Sequence, residues 1–286
     1  VTSARHRKLL FVHAHPDDES ITTGGTIARY AAEGTEVTVV TCTLGEEGEI
    51  IPPDLAQLGS WAADQLGGFR SSELTSAVAE LGAIGHRYLG GIGRWRDSGM
   101  AGTPSAAHHR AFTGGSQAEQ VAQLTAILDE VRPEVVVTYD DFGGYGHPDH
   151  IRTHEITMKA ASKAESVRRV FHTVYSEEAT TRGLAELRST GAGTFRVPAD
   201  GELPVTSDTE ITTRVDVGAY RPAKAAALRA HATQVTVVSE RCFALSNNIA
   251  QPIPAHEFFV LATGPAEGAE TDLFGGLAIE AGDDNG

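Results

Sequence analysis

Short apolar runs alternate with amphipathic stretches along the first part of the chain. "KLLFVHAH" (8–15) holds four consecutive apolar residues, Leu9 to Val12, and predicts a buried strand. "TTGGTIARYAAEG" (22–34) has helical spacing and closes on Gly34, a residue type suited to a helix C-cap. "EVTVVTCT" (36–43) is β-branched and apolar and predicts a second buried strand. "SSELTSAVAELGA" (71–83) reads as a helix and "HRYLG" (86–90) as a short strand. "SQAEQVAQLTAILDEVRP" (116–133) is an amphipathic helix with Ser116 as N-cap and Pro133 as its stop. "EVVVTYD" (134–140) is a strand, "PDHIRTHEITMKAASKA" (148–164) a helix with Pro148 in its first turn, and "RRVFHTVYS" (168–176) a further strand.

Strands that alternate with helices predict an α/β fold: a Rossmann-like, mostly parallel sheet with helices on both faces. Ligands of such sheets bind outside the carboxyl ends of the strands. His13 to Glu19 follow the first strand and Asp140 to His150 follow "EVVVTY", so both segments belong at that edge. Beyond about residue 176 the pattern loosens. "STGAGTFRVPADGELPVTSDTEITTRVDVGAY" (189–220) is rich in Thr, Gly and Pro and predicts a smaller β-rich section. "RPAKAAALRAHATQV" (221–235) is a helix with Pro222 at its start, "EFFVLATG" (257–264) a late strand, and "AIEAGDDNG" (278–286) a frayed tail. The expected division is a catalytic domain over 1–175 and, over 176–286, a smaller β-rich C-terminal section that walls the substrate cleft.

Composition narrows the partners. Among 286 residues, 23 are Lys or Arg and 38 are Asp or Glu, a formal charge of −15. So acidic a surface repels phosphate backbones and anionic lipid, and argues against nucleic acid and membrane partners. No apolar stretch approaches the roughly 18 residues of a bilayer span. The apolar run in "VTSARHRKLLFVHAHP" is too short for a signal peptide core. Cys42 and Cys242 make no disulfide framework and are expected as free thiols in a cytoplasmic protein. No glycine cluster forms the dinucleotide fingerprint or the phosphate loop, which disfavours a nucleotide-dependent oxidoreductase.

Two segments concentrate chemistry. In "HAHPDDE" (13–19) the adjacent Asp17 and Asp18 repel each other unless a cation or a proton offsets them. In "GGYGHPDH" (143–150) two histidines and an aspartate recur at the other strand end. Three His and Asp ligands leave a fourth position for water, the arrangement of catalytic zinc sites. A free carboxylate beside the metal then serves as general base. His13 and His15, two apart on a strand, face the same way, and spacing does not choose between them. His154 shares a helix face with His150 and is expected to be solvated or supporting.

"HAHPDDE" with the later "HPDH" resembles the signature of the LmbE/PIG-L deacetylase superfamily, whose members remove acetyl groups from N-acetylglucosaminyl conjugates using zinc. "TCTLGEEGEI", "ADQLGGFRSSEL", "YLGGIGRWRDSGMAGT", "VVTYDDFGGYGHPDH" and "AHATQV" are similar to the mycothiol-pathway branch, which acts on N-acetylglucosaminyl-myo-inositol. The resemblance runs from about residue 9 to about residue 260 and is weakest over about 176–215. It implies His15, Asp18 and His150 as ligands of zinc, a set that also accommodates ferrous iron. It implies Asp17 as general base, His147 opposite the developing oxyanion, Tyr145 as a mobile group polarising the amide carbonyl, and Asp149 as a carboxylate beside His147. Arg70, Asp97, Glu49 and Met100 match candidates for contacting sugar and inositol hydroxyls. The expected partner is a small sugar–inositol substrate, and a homo-oligomer is compatible with the pattern. The sister amidase of mycothiol S-conjugates, or another LmbE-type N-acetyl sugar deacetylase, is the near alternative, and a carbohydrate-binding or metal-sequestering protein without catalysis the distant one.

Overall fold

The computed structural model describes residues 7–83 and 85–278. The frayed tail expected over 278–286 lies outside these residues from position 279 on. The strands are β1 (Lys8–His13), β2 (Glu36–Thr41), β3 (Gly85–Tyr88), β4 (Val135–Tyr139), β5 (Arg169–Val174) and β6 (Thr213–Asp216). Then come β7 (Thr236–Ser239), β8 (Cys242–Ala244) and β9 (Ala250–Pro252), which pair antiparallel in a separate small sheet, and β10 (His256–Thr263). Among the described residues the main sheet has seven strands in the order β3-β2-β1-β4-β5-β10-β6. β3 through β5 run parallel, and β10 runs antiparallel to both β5 and β6.

Side chains of successive strand residues point to opposite faces, and the core divides accordingly. Leu9, Phe11, Val37, Val39, Val135 and Val137 pack on one face, against α1 (Asp18–Ala32), α2 (Leu66–Glu80) and the segment around Phe274. Leu10, Val12, Val40 and Val136 pack on the other, against α3 (Gln117–Val131) and the later α5 (Pro148–Ala161), which follows a single irregular turn, α4 (Gly143–Gly146). Two faces covered by helices require central strands that are apolar at every position, and that is how "LLFV" and "VVV" read.

The helix signals are met in detail. The Ser116 hydroxyl accepts the Glu119 N–H, Arg132 caps α3 in a left-handed conformation, and Gly34 takes a φ of 84° just after α1. The smaller β-rich section is present as β7, β8 and β9, further along the chain than the 189–220 stretch that predicted it. Glu177–Thr190 is a helix, α6, capped by the Ser176 hydroxyl on the Ala179 N–H. Its interior is mostly polar, and Leu184 and Leu187 are its buried residues, so the apolar period that marks a helix is thin there. The remainder up to Thr213 is irregular, and the strands of the small antiparallel sheet lie between 236 and 252.

β6 and β10 extend the main sheet past β5, and α7 (Arg221–Ala230) packs against α1 and α2. A buried ion pair ties these parts together. Lys224 Nζ on α7 lies 2.6 Å from Glu257 Oε1 on β10, with the side chains 2% and 3% exposed. The same carboxylate accepts the N–H groups of Gly25 and Thr26 on α1 at 2.9 and 2.7 Å. Breaking a buried pair by removing one partner strands the other charge. Lys224→Met is therefore expected to destabilise the protein by about 3–5 kcal/mol, read as a lowered denaturant midpoint in equilibrium unfolding.

Candidate functional site

The winding of the main sheet decides where the site can be. From β1 the chain moves outward through β2 and β3, then returns to place β4 on the other flank of β1. The loops leaving β1 and β4 part in opposite directions there and open a crevice at the carboxyl edge. A cavity of about 750 Å³ occupies that edge. His15, Asp17 and Asp18 line it from the β1 side, and Tyr139, Tyr145, His147 and His150 from the β4 side. Residues 202–206 and 245–251 contribute to its wall, among them Leu203, Pro204 and Asn247.

At the floor, three atoms face one another. His15 Nδ1 is 3.3 Å from His150 Nε2 and 3.4 Å from Asp18 Oδ2, and His150 Nε2 is 3.4 Å from the same oxygen. The surrounding hydrogen bonds fix what each presents. His15 Nε2 is 3.3 Å from Asp149 Oδ2, an oxygen that also accepts the Ser98 N–H, so the His15 proton belongs on Nε2. His150 Nδ1 donates to the Gly143 carbonyl at 3.1 Å. Each ring therefore turns a lone pair toward the Asp18 carboxylate. Three acceptors in a nearly equilateral triangle repel unless a cation joins them. The spacing suits a tetrahedral ion, whose ligands at about 2.0–2.1 Å from the metal stand roughly 3.3 Å apart. The donor set thus fits a divalent metal.

Asp17 stands beside this triangle on a strained backbone. Its φ of 121° lies where glycine is favoured, a conformation that costs a side-chain-bearing residue about 1–3 kcal/mol. Two contacts hold it. Its N–H donates to Glu19 Oε2 at 3.0 Å, and Arg70 Nη2 lies 2.9 Å from its Oδ2. Burial pushes the Asp17 carboxyl up to about 6, against the pull of Arg70. Burial likewise opposes charge on Asp18, but His150 and His15 outweigh it and hold that carboxyl well below its ordinary value. The contrast between neighbours separates a carboxylate fixed as an anion from one able to exchange a proton.

His147 N-caps α5, accepting the Asp149 N–H on Nδ1 at 3.1 Å, so its neutral ring carries the proton on Nε2. Burial, then the neighbouring His15 and His150, push its pKa down to about 3. Tyr145 sits in α4 between glycines of positive φ, is 50% exposed and has its ring 6.0 Å from that of His147.

The expected residues converge with two differences. The Asp149 carboxylate is not beside His147: it lies against His15 and Ser98, and only its backbone N–H meets His147. The helix turn directs that side chain inward, so it orients a ring of the triangle instead. Glu49 is exposed and does not line the cavity, whereas Glu47 and Gly48 of the same loop do. Glu47 also pairs with Arg96 at 2.7 Å. Asp97 lines the cavity with both oxygens engaged, by the N–H groups of Gly99 and Glu47, and stands 3.5 Å from His15 Nε2. Arg70 and Met100 line the cavity, and the Arg70 Nε is buried without a hydrogen-bond partner. His13 is buried behind the site on Tyr139 and Thr23, and His154 bonds the Tyr139 carbonyl.

Sequence reasoning missed three supports. The Tyr139 hydroxyl donates to Asp18 Oδ2 at 2.7 Å and accepts the Ala14 N–H at 2.9 Å, with its ring stacked on His150. Glu19, which accepts the Asp17 N–H, pairs with buried His231 at 2.7 Å. The position of Tyr139 at the last residue of an apolar strand was the available signal for the first. Nothing in the spacing links Glu19 to a histidine more than 200 residues away.

Fold and site together define a Rossmann-like α/β protein with a His/Asp centre competent to hold a metal at the strand switch point. The chain belongs to the PIG-L family: the family model described as GlcNAc-PI de-N-acetylase matches residues 10–161. It is 69% identical over 269 residues to the 1D-myo-inositol 2-acetamido-2-deoxy-alpha-D-glucopyranoside deacetylase of Saccharomonospora viridis, covering 94% of this chain and 100% of the relative. The protein of the same name from Actinosynnema mirum is 61% identical, covering 94% and 97%. Among solved structures, N,N'-diacetylchitobiose deacetylase from Pyrococcus horikoshii is similar with a TM-score of 0.54 at 20% identity, covering 79% of this chain and 70% of that one. The 4-carboxy-2-hydroxymuconate hydratase GalB from Pseudomonas putida is similar with a TM-score of 0.56 at 17% identity, covering 91% and 97%. These two likenesses show the fold alone.

Loss of a hydroxyl that orients a metal-binding carboxylate weakens metal retention about 10–100-fold. Tyr139→Phe is expected to do so here, measured by competition against a chromophoric chelator. Unchanged affinity would remove Tyr139 from the centre's support.

Proposed function

We propose that the protein is a zinc-dependent N-deacetylase that hydrolyses the acetamide of N-acetylglucosaminyl-myo-inositol, giving acetate and the free amine. The convergence of the His15, Asp18 and His150 acceptors beside an Asp17 held ready for proton exchange carries this reading. The names of relatives 61–69% identical over 94% of the chain support the substrate. Zinc fits the two-histidine, one-carboxylate set, and ferrous iron fits it as well. When bound, the metal supplies a Lewis acid that polarises the amide carbonyl and makes water a better nucleophile.

The chain's own groups divide the remaining work. Arg70, Asp97 and Met100 face the cavity where sugar and inositol hydroxyls would sit, with Glu47 on the loop expected to offer Glu49. Asp17 takes the proton from water, whose oxygen bonds the acetyl carbon. His147 Nε2–H and the Tyr145 hydroxyl oppose charge growing on the carbonyl oxygen. The C–N bond breaks as the proton held by Asp17 reaches the nitrogen, with His147 supporting the transfer. Arg70 keeps Asp17 aimed, and Asp149 keeps the His15 lone pair aimed. Cys42 and Cys242, both buried and unbridged, agree with a cytoplasmic setting. No helix among the described residues is long and apolar enough to cross a membrane.

Acetate release from the sugar–inositol conjugate, from N-acetylglucosamine and from a mycothiol S-conjugate, compared in parallel, tests the substrate. A large preference for the first is expected, and faster cleavage of the S-conjugate would transfer the protein to the amidase branch. A chelator should abolish turnover, with zinc or ferrous ion restoring it. Asp17→Ala should keep metal content while kcat falls about 10²–10⁴-fold, and a near-normal kcat would overturn its assignment.

A further inference from the structure

A second polar cavity, of about 330 Å³, lies between α6, β6, the start of α7 and the segment leading into β10. It shares no lining residue with the cavity at the metal centre. Four arginines line it, Arg182, Arg214, Arg221 and Arg241, with His256 beside them and, among the described residues, Glu186 as the single acidic residue. In a chain of formal charge −15, a concentration of cations in one concavity stands against the overall field.

The four arginines are not equivalent. Arg182 pairs with Glu178 at 2.5 Å one helical turn away, and Arg241 pairs with Glu186 across the cavity. Both pairs are substantially exposed, and such pairs are weakly bound. Arg214 and Arg221 have no carboxylate partner among the described residues. Arg214 is left with His256 Nδ1 at 3.3 Å and the ring of Phe258. The Nε of Arg221 is buried and has no hydrogen-bond partner. A buried guanidinium nitrogen without an acceptor is costly, and it leaves the Arg221 charge uncompensated within the protein while the rest of its side chain lines the cavity. Arg221 also opens α7, a helix of ten residues whose N-cap, Tyr220, supplies no side-chain acceptor. The positive end of that helix adds to the same field.

From this geometry we infer a small-anion site: the cavity binds a phosphorylated small molecule, with its phosphoryl oxygens on Arg214 and Arg221. Guanidinium groups match phosphoryl oxygens in a two-point, charge-assisted contact, and the volume is that of a small-molecule pocket rather than of a flat polymer surface. The site is separate from the chemistry at Asp17.

Calorimetric titration with glucose 6-phosphate and with inorganic phosphate tests it, using metal-loaded protein and the R214Q/R221Q variant. Glucose is the uncharged control. Wild type is expected to bind both phosphates and not glucose, and the variant to bind at least about tenfold more weakly, the loss of one or two charge-assisted contacts. Deacetylase activity without phosphate should be unchanged in the variant, since neither arginine lines the catalytic cavity. Should the double variant fail to fold, R214Q and R221Q singly replace it, each expected to weaken binding several-fold, and R214K/R221K should recover part of it. Equal binding by wild type and variant, or binding only by protein whose Asp17 site is accessible and metal-loaded, would overturn the site. So would an absence of binding by wild type, or a requirement for an acidic protein instead of a phosphate.

Discussion

The pairing of β1 with β4 is the constraint on which the site depends. Leu9, Leu10 and Phe11 pair in parallel with Val135, Val136 and Val137. That register brings the end of β1 and the end of β4 to the same edge, though more than 120 residues separate them in the chain. Because the winding reverses between these two strands, their loops diverge and leave room for a ligand. The apolar side chains that hold the register also close the site from below, so His15, Asp18 and His150 meet on a buried floor, where electrostatic interactions are strong. A slip of one residue in either strand would turn the floor's side chains to the opposite face of the sheet.

On that floor, orientation carries as much weight as composition. Tyr139, Asp149 and the Gly143 carbonyl each take or give one hydrogen bond that fixes which atom of Asp18, His15 and His150 faces the other two. Asp17 is kept apart from this set by a backbone conformation that its side chain disfavours, held by Arg70 and by Glu19 with His231 behind it. Neighbouring aspartates thereby acquire different protonation behaviour, and the difference is one of surroundings, since the two residues are chemically identical. The hydratase that shares this fold shows that the sheet alone does not choose the reaction. The groups at its edge do.

The part of the chain beyond β5 contributes in a different way. β6 and β10 prolong the main sheet, while the loops at 202–206 and 245–251 line the catalytic cavity from the side opposite β2 and β3. The glutamate of β10 that reaches α1 couples this region to the helix that begins at Asp18. The arginine-lined cavity is assembled from α6, β6, the start of α7 and the segment leading into β10.

The sequence by itself determined the layered α/β architecture, because apolar runs bounded by helix caps have few other solutions. It also determined that His15, Asp17, Asp18, His147 and His150 would share an edge, since the segment that holds each of them leaves the end of a strand. Helix α6 was hidden, because its polar surface leaves little apolar period. Only the tertiary structure decided which face of each side chain is used. It turned the Asp149 carboxylate to His15, put Glu47 in the cavity wall where Glu49 was expected, and placed Tyr139 and His231 behind the aspartates. Hydrogen-bond partners are chosen by distance in space, and spacing along a chain records that distance only within one helix or strand.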